Sequence, residues 1–228
     1  MEMARIADHI ICNSVIGVDT GALTGFTYLW QWREKIYDMY EEVSGARLTT
    51  NMGRIGGFER DFSPKFHEKL KAFIKEFPAG FREFSSMLER NRIFMDRCIG
   101  AGPISAERAL EYGFTGPNLR AAGVDYDVRI AEPYSSYDDF DFTIPVGVNG
   151  DTYDRFMVRQ EEIWQSFYLM KNAYENLPEG DFHANVPEFY LPPKEEVYNN
   201  MEALIYQFKI IMGEVPIPVG EVYHAVEG

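Results

Sequence analysis

The sequence is short of cysteine, of positive charge and of long apolar runs. Its two cysteines, Cys12 and Cys98, stand far apart and in no CxxC or CxxxC arrangement. That excludes an iron–sulfur cluster or structural zinc held by this chain alone, and it points to a reducing compartment. Lysine and arginine number 22 against 36 aspartates and glutamates, a net charge of −14. Such a balance argues against nonspecific binding to nucleic acid or an anionic lipid surface and suits basic protein partners. No apolar run approaches a membrane span and no leader opens the chain, so a cytoplasmic protein, at most peripheral to a membrane, is expected. The four histidines, His9, His67, His183 and His224, lie in separate segments, which favours surface or satisfied-core roles over metal ligation. GxSxG, GxGxxG and Walker patterns are all missing.

Aromatic residues, at 15% of 228, are plentiful, and with them comes material for a sizeable core. Ile6, Ile10 and Val18, with Cys12 and Val15 beside them, predict a first helix with an apolar face. A second is expected from about Ala22 to Ser44, with Leu29, Ile36, Met39 and Val43 as its buried stripe and Gly45 as its stop. Ser63–Pro64 starts a long helical stretch to about Cys98, expected to break near Pro78–Gly80. A short helix from Ser105 to Tyr112 stops at Gly113, and "DFDFTIPVGVNGD" alternates like a strand leading to an Asn-Gly turn. Asp151 caps a further long helix to about Asn176, with Phe156, Ile163, Met170 and Leu177 on one face. A last helix carries Val197, Met201, Leu204, Phe208 and Ile211 as its stripe.

The expected fold is therefore mainly α, a multihelical bundle with small β and loop insertions. Residues 1–228 read as one helical-bundle domain with a less regular α+β insertion at about 99–150. The opening "MEMARIADHII" lies within a helix pattern and the closing "YHAVEG" within a strand pattern, so a piece of a longer polypeptide is expected.

Two stretches invite a functional reading. In "GVDTGALTGF" the carboxylate of Asp19 sits where an apolar helix gives way to glycines and threonines. Taken alone it is a helix-end cap or turn residue, as aspartate commonly is. The stretch 45–62, "GARLTTNMGRIGGFERDF", is glycine-rich and carries Arg47, Arg54 and Arg60, and loops of that length in compact domains are usually functional.

The runs "REKIYDMYEEVSGARLTTNMGRIGGFERD", "GPNLRAAGVDYDVR" and "PVGVNGDTYDRFMVRQEEIWQS" resemble the D subunit of the proton-pumping NADH:quinone oxidoreductases, respiratory complex I. That family is related to the large subunit of nickel–iron hydrogenases. The resemblance spans the whole chain, with its motifs in the expected order, and matches the middle and greater part of the family's sequence. The family's histidine-bearing loop and quinone-contacting tyrosine would lie before Met1.

The resemblance implies a place in an assembly. The family packs against a small subunit that holds the terminal iron–sulfur cluster, with the C subunit and the membrane arm's H subunit as further partners. The complex oxidises NADH and reduces a quinone between these proteins, on the cytoplasmic side of the bacterial inner membrane. It implies that this chain binds no cofactor itself and is inactive in isolation.

Asp19 matches the family's aspartate that hydrogen-bonds the cavity histidine, which makes it the candidate catalytic residue. Quinone reduction takes two electrons and two protons, the cluster delivers only electrons, and an Asp–His pair can handle the protons. Ile11 and Val15 precede Asp19 by eight and four positions and share its helix face, which in the family borders the headgroup end of the cavity. Thr49 and Arg54 lie in the segment that approaches the cluster. Mitochondrial-type members have a histidine at the position of Thr49, and a threonine cannot titrate. The resemblance then implies a low, pH-independent cluster potential, as suits menaquinone. Two other readings stay open: the large subunit of a hydrogenase-like membrane complex, and a purely structural helical scaffold. Cys12 and Cys98 cannot supply the two cysteine pairs that the first of these needs.

Overall fold

A computed structural model describes residues 1–213 and 218–227. The chain is mainly α, with ten α-helices and one two-stranded sheet among the described residues. They are α1 (Glu2–Asp19), α2 (Leu23–Ser44), β1 (Gly53–Arg54), β2 (Gly57–Phe58), α3 (Pro64–Leu88), α4 (Arg92–Cys98), α5 (Ala106–Glu111), α6 (Gly116–Ala121), α7 (Val128–Ala131), α8 (Thr152–Glu175), α9 (Lys194–Asn199) and α10 (Met201–Ile211). A 3-10 turn at Tyr137–Asp139 precedes α8. The chain divides into two compact units. The first comprises Met1–Asp38, Glu68–Leu177 and the residues from His224 on; the second comprises Met39–His67 and Pro178–Tyr223.

The core of the first unit is aromatic. Phe73, Phe77, Phe81 and Phe84 repeat at helical spacing along α3, all buried, with successive ring centroids 4.8, 5.3 and 6.3 Å apart. From α2, Trp32 meets Phe73 and Phe77 edge-on, and from α8 the Phe167 ring lies 5.5 Å from Phe77. Edge and offset contacts of this kind add to the burial of large apolar surfaces. The stripe Leu29, Ile36, Met39 and Val43 is buried as expected, and so are Phe156, Ile163 and Met170 of α8. Leu177 lies beyond the end of α8 and is exposed.

Local signals place the helix ends well. Gly45, at φ +75°, donates its N–H to the Glu41 carbonyl and closes α2. Ser105 caps α5 through the Arg108 N–H, and Asp151 caps α8 through the Asp154 N–H while its other oxygen accepts from Gly100.

Four expectations are corrected. The helix does not break at Pro78–Gly80: α3 runs unbroken to Leu88, and the gap before α4 falls at residues 89–91. The reason is packing, for the Trp32 indole lies against Gly80, where a Cβ would come within 2.1 Å of its ring. The "DFDFTIPVGVNGD" run forms no strand. Its backbone is instead tied to α6, Gly147 N–H donating to the Arg120 carbonyl and Gly150 N–H to that of Ala121. The closing residues that are described form no strand either; Glu227 is anchored by side chains described below. Finally, the last helix is two, α9 and α10, and its apolar stripe is not buried: Met201, Phe208 and Ile211 are exposed, and Val197 and Leu204 are half-buried.

Candidate functional site

Helix α1 has two faces of opposite character. Inward lie Arg5, His9 and Asn13, four residues apart, with Ile6 and Ile10 beside them. Outward lie Ile11, Val15 and Asp19, also four apart. At about 100° per residue the second stripe lies about 120° round the helix from the first on average, and Asp19 about 80° from His9. Val15 and Val18, expected in the apolar contact face, are 40% and 37% exposed, because polar groups take the inward positions.

Asp19 is the last residue of α1 and exposed, and its side chain makes no hydrogen bond or ion pair among the described residues. It is not the cap. Thr20 closes the helix, its Oγ1 donating to the carbonyls of Ile16 (2.8 Å) and Gly17 (3.0 Å). Gly21 then turns the chain at φ +92°, a conformation suited to glycine. A carboxylate at a helix C-terminus opposes the macrodipole, at a cost of about 0.3–1 kcal/mol. Among the described residues, Asp19 therefore makes no side-chain contribution to the hydrogen bonds and ion pairs of the fold.

Behind the inward face lies a buried ionic cluster. The Glu162 carboxylate, with its side chain fully buried on α8, accepts from His9 Nε2 at 2.6 Å and from Arg120 Nε at 2.7 Å. A carboxylate can only accept, so His9 carries a proton on Nε2. Arg120 also donates to Glu227 Oε1 (2.8 Å) and to the Tyr126 carbonyl (3.1 Å), and lies 3.5 Å from Asp127. Asp127 in turn takes two nitrogens of the Arg129 guanidinium, which also faces Glu2 at 3.4 Å. Glu2 accepts from the Tyr137 hydroxyl, and Arg5 donates to the Glu227 carbonyl at 3.1 Å.

Burial alone would push the Glu162 carboxyl up. The hydrogen bonds from His9 and Arg120, with the guanidinium charge, outweigh burial and hold its pKa below the ordinary glutamate value. The same contest, won by Arg129 and Arg120, lowers Asp127; won by Arg5 and Arg129, it lowers Glu2.

Thr49 and Arg54 belong to the second unit. Thr49 is exposed in the loop before β1, and β1 pairs antiparallel with β2, Gly53 opposite Phe58 and Arg54 opposite Gly57. The Arg54 guanidinium is used within its own hairpin: it donates to the Asn51 carbonyl (3.0 Å), Asn51 Oδ1 (2.9 Å), the Gly53 carbonyl (3.0 Å) and Glu59 (2.5 Å). The hairpin is extended by Phe58 N–H on the Phe182 carbonyl and Ala184 N–H on that of Gly56. The predicted residues thus fall into two sets, one on α1 and one on the hairpin.

Sequence reasoning left His9, like the other histidines, as a surface or satisfied-core residue and missed the partner that satisfies it in the core. Arg120, Asp127, Arg129 and Glu162 lie in two of the quoted runs, but at no metal-ligand or catalytic spacing, and His9 and Glu162 are 153 positions apart. The one available signal was a charged residue inside an otherwise apolar stretch, as at Arg120 in "NLRAAG".

A mainly helical chain with an outward carboxylate unused by its fold is consistent with one component of a larger assembly. A family model described as the 49 Kd subunit of respiratory-chain NADH dehydrogenase matches residues 19–228, and the chain belongs to that family. It is 67% identical over 229 residues to the NADH-quinone oxidoreductase D subunit of Flavobacterium psychrophilum, covering 100% of this chain and 56% of that protein. With the second D-type subunit of Cytophaga hutchinsonii the identity is 66% over 231 residues (100% and 59% covered), and with the D subunit of Leptospira biflexa 52% over 226 residues (99% and 56%). The chain therefore spans a little over half the length of the curated relatives it matches.

Proposed function

We propose that this chain forms one wall of the quinone-reduction site of a proton-pumping NADH:quinone oxidoreductase. The wall stands next to the terminal iron–sulfur cluster of a small partner subunit, with the C subunit and the membrane arm's H subunit as further neighbours. The complex lies on the cytoplasmic side of the bacterial inner membrane. Among the described residues no helix is long and apolar enough to cross a membrane. The observation that carries the reading is the outward face of α1, where Ile11 and Val15 lead to a carboxylate with no partner among the described residues.

In this reading the aliphatic side chains of Ile11 and Val15 line the apolar approach of a quinone ring, and Asp19 holds the proton-donating histidine supplied by the rest of the full-length protein. Electrons reach the quinone from the neighbouring cluster. Replacing Val15 by tryptophan fills that approach. The expected result is a rise of about 10-fold or more in KM for quinone, the size that a lost apolar fit gives. NADH oxidation by hexacyanoferrate, which drains electrons upstream, is expected to be unchanged. An unaltered KM contradicts the reading.

The hairpin segment with Thr49 and Arg54 is assigned to the side facing the cluster. Because threonine has no proton to exchange in the working range, the potential of that cluster is expected to be independent of pH, and low, in keeping with menaquinone as substrate. A redox titration of the assembled complex at several pH values checks this; a marked slope rules it out.

A further inference from the structure

The polar stripe of α1 bonds in fixed directions. His9 Nε2 meets Glu162 at 2.6 Å, Asn13 Nδ2 donates to the Phe156 carbonyl of α8 at 3.3 Å, and Arg5 donates to the Glu227 carbonyl at 3.1 Å. Ile6 and Ile10 fill space between these groups, but apolar contact is non-directional and tolerates rotation. The hydrogen bonds do not. Glu162 has no freedom of its own, because each of its oxygens is taken, one by His9 and one by Arg120. Arg120 is fixed in turn by Glu227 and by the Tyr126 carbonyl. Burying such a pair costs several kcal/mol in desolvation, and an apolar pair of similar volume is often as stable, so stability alone does not account for it.

We infer that Glu162 is a positioning residue: by holding His9 it sets the rotation of α1 on α8 and thereby aims Asp19 at the quinone site. The inference rests on the reading of Asp19 as the residue that faces that site. The geometry makes the lever plain. Asp19 is ten residues beyond His9, about 15 Å along the same rigid helix and about 80° round it. A side chain stands about 5–6 Å from the axis, so a turn of about 10° moves it by about 1 Å. Misplacement on that scale can cost about 100-fold in rate.

The test uses the assembled complex and the variant Glu162→Gln. His9 and Arg120 bond to different oxygens of Glu162, and an amide keeps an acceptor at only one of those two places and puts an NH2 donor at the other. Quinone reduction is expected to fall about 10-fold or more in kcat, with KM within about 2-fold, because orientation rather than binding is lost. In the double variant Asp19→Asn/Glu162→Gln the rate is expected to equal that of Asp19→Asn alone, since residues acting as a unit are non-additive. A loss that multiplies in the double variant overturns the inference, and so does a Glu162→Gln complex of normal rate when Asp19→Asn is inactive. A normal Asp19→Asn complex instead overturns the underlying reading. A second pair of variants decides the matter where Glu162→Gln does not assemble. His9→Gln, whose amide still donates to Glu162, is expected to keep the rate within about 3-fold, and His9→Phe, without a donor, to lose it as above. Equal rates in those two overturn the inference.

Discussion

Replacing Asp19 by asparagine in the assembled complex is expected to slow NADH-driven quinone reduction by about 100-fold or more, the range by which a positioned acid–base group acts. The amount of complex is expected to be unchanged. The structure separates the two effects. Asp19 is exposed, holds nothing among the described residues and is not the cap of its helix, so the fold loses no bond when its charge goes. Removing a negative charge from a helix C-terminus favours the helix slightly, by about 0.3–1 kcal/mol. The upstream hexacyanoferrate activity serves as the internal control. A variant with both activities intact would leave a docking scaffold as the better description of this chain.

The opposite pattern is expected at Arg120. Arg120→Met leaves Glu162 and Asp127 buried without the guanidinium that pairs them, and breaking a buried pair in this way costs about 3–5 kcal/mol. Against a typical stability of about 5–15 kcal/mol that is a large fraction, and little folded protein is expected at growth temperature. The control is Lys35→Met, which removes a 2.6 Å bridge to Glu76 whose partners are 43% and 53% exposed. Solvent screens pairs of that kind, and they contribute little to stability. Denaturant unfolding of the two variants measures the contrast directly, and equal midpoints would refute the role given to the cluster.

Acid adds a second readout. Glu162, Asp127 and Glu2 all have folded pKa values below their ordinary ones. Their contribution is therefore complete above the ordinary carboxylate range and is lost as pH falls through the lower folded values. Without Arg120 the carboxyls lose a stabilising charge, so the acid loss in Arg120→Met is expected to begin at higher pH than in the parent chain.

Much of the fold is legible in the sequence where its causes are local. The stripe from Leu29 to Val43, the Gly45 stop and the Ser105 and Asp151 caps each depend on residues within a turn or two, and the structure shows them as read. Where the causes are distant, the reading fails. Pro78 looks like a breaker until the indole of Trp32, 46 positions away, is found lying on Gly80 and the phenylalanine stack is seen to hold α3 together. The alternation from Asp139 to Asp151 mimics a strand, but its amides find the carbonyls of α6 rather than a neighbouring strand. On α1 the apolar residues were visible, whereas the buried face also carries Arg5, His9 and Asn13, whose partners on other elements lie more than 140 residues away. Asp19 itself gained its meaning from a resemblance between long motifs. What the structure adds is that this carboxylate is exposed, whereas the groups that hold its helix in place are buried.

The most direct measurement is the point of attachment of a photoreactive quinone in the assembled, membrane-bound complex. The account predicts labelling of Ile11, Val15 or Asp19 on the outward face of α1, abolished by an excess of unlabelled quinone. Labelling confined to other parts of this chain, or to its partner proteins alone, would contradict it.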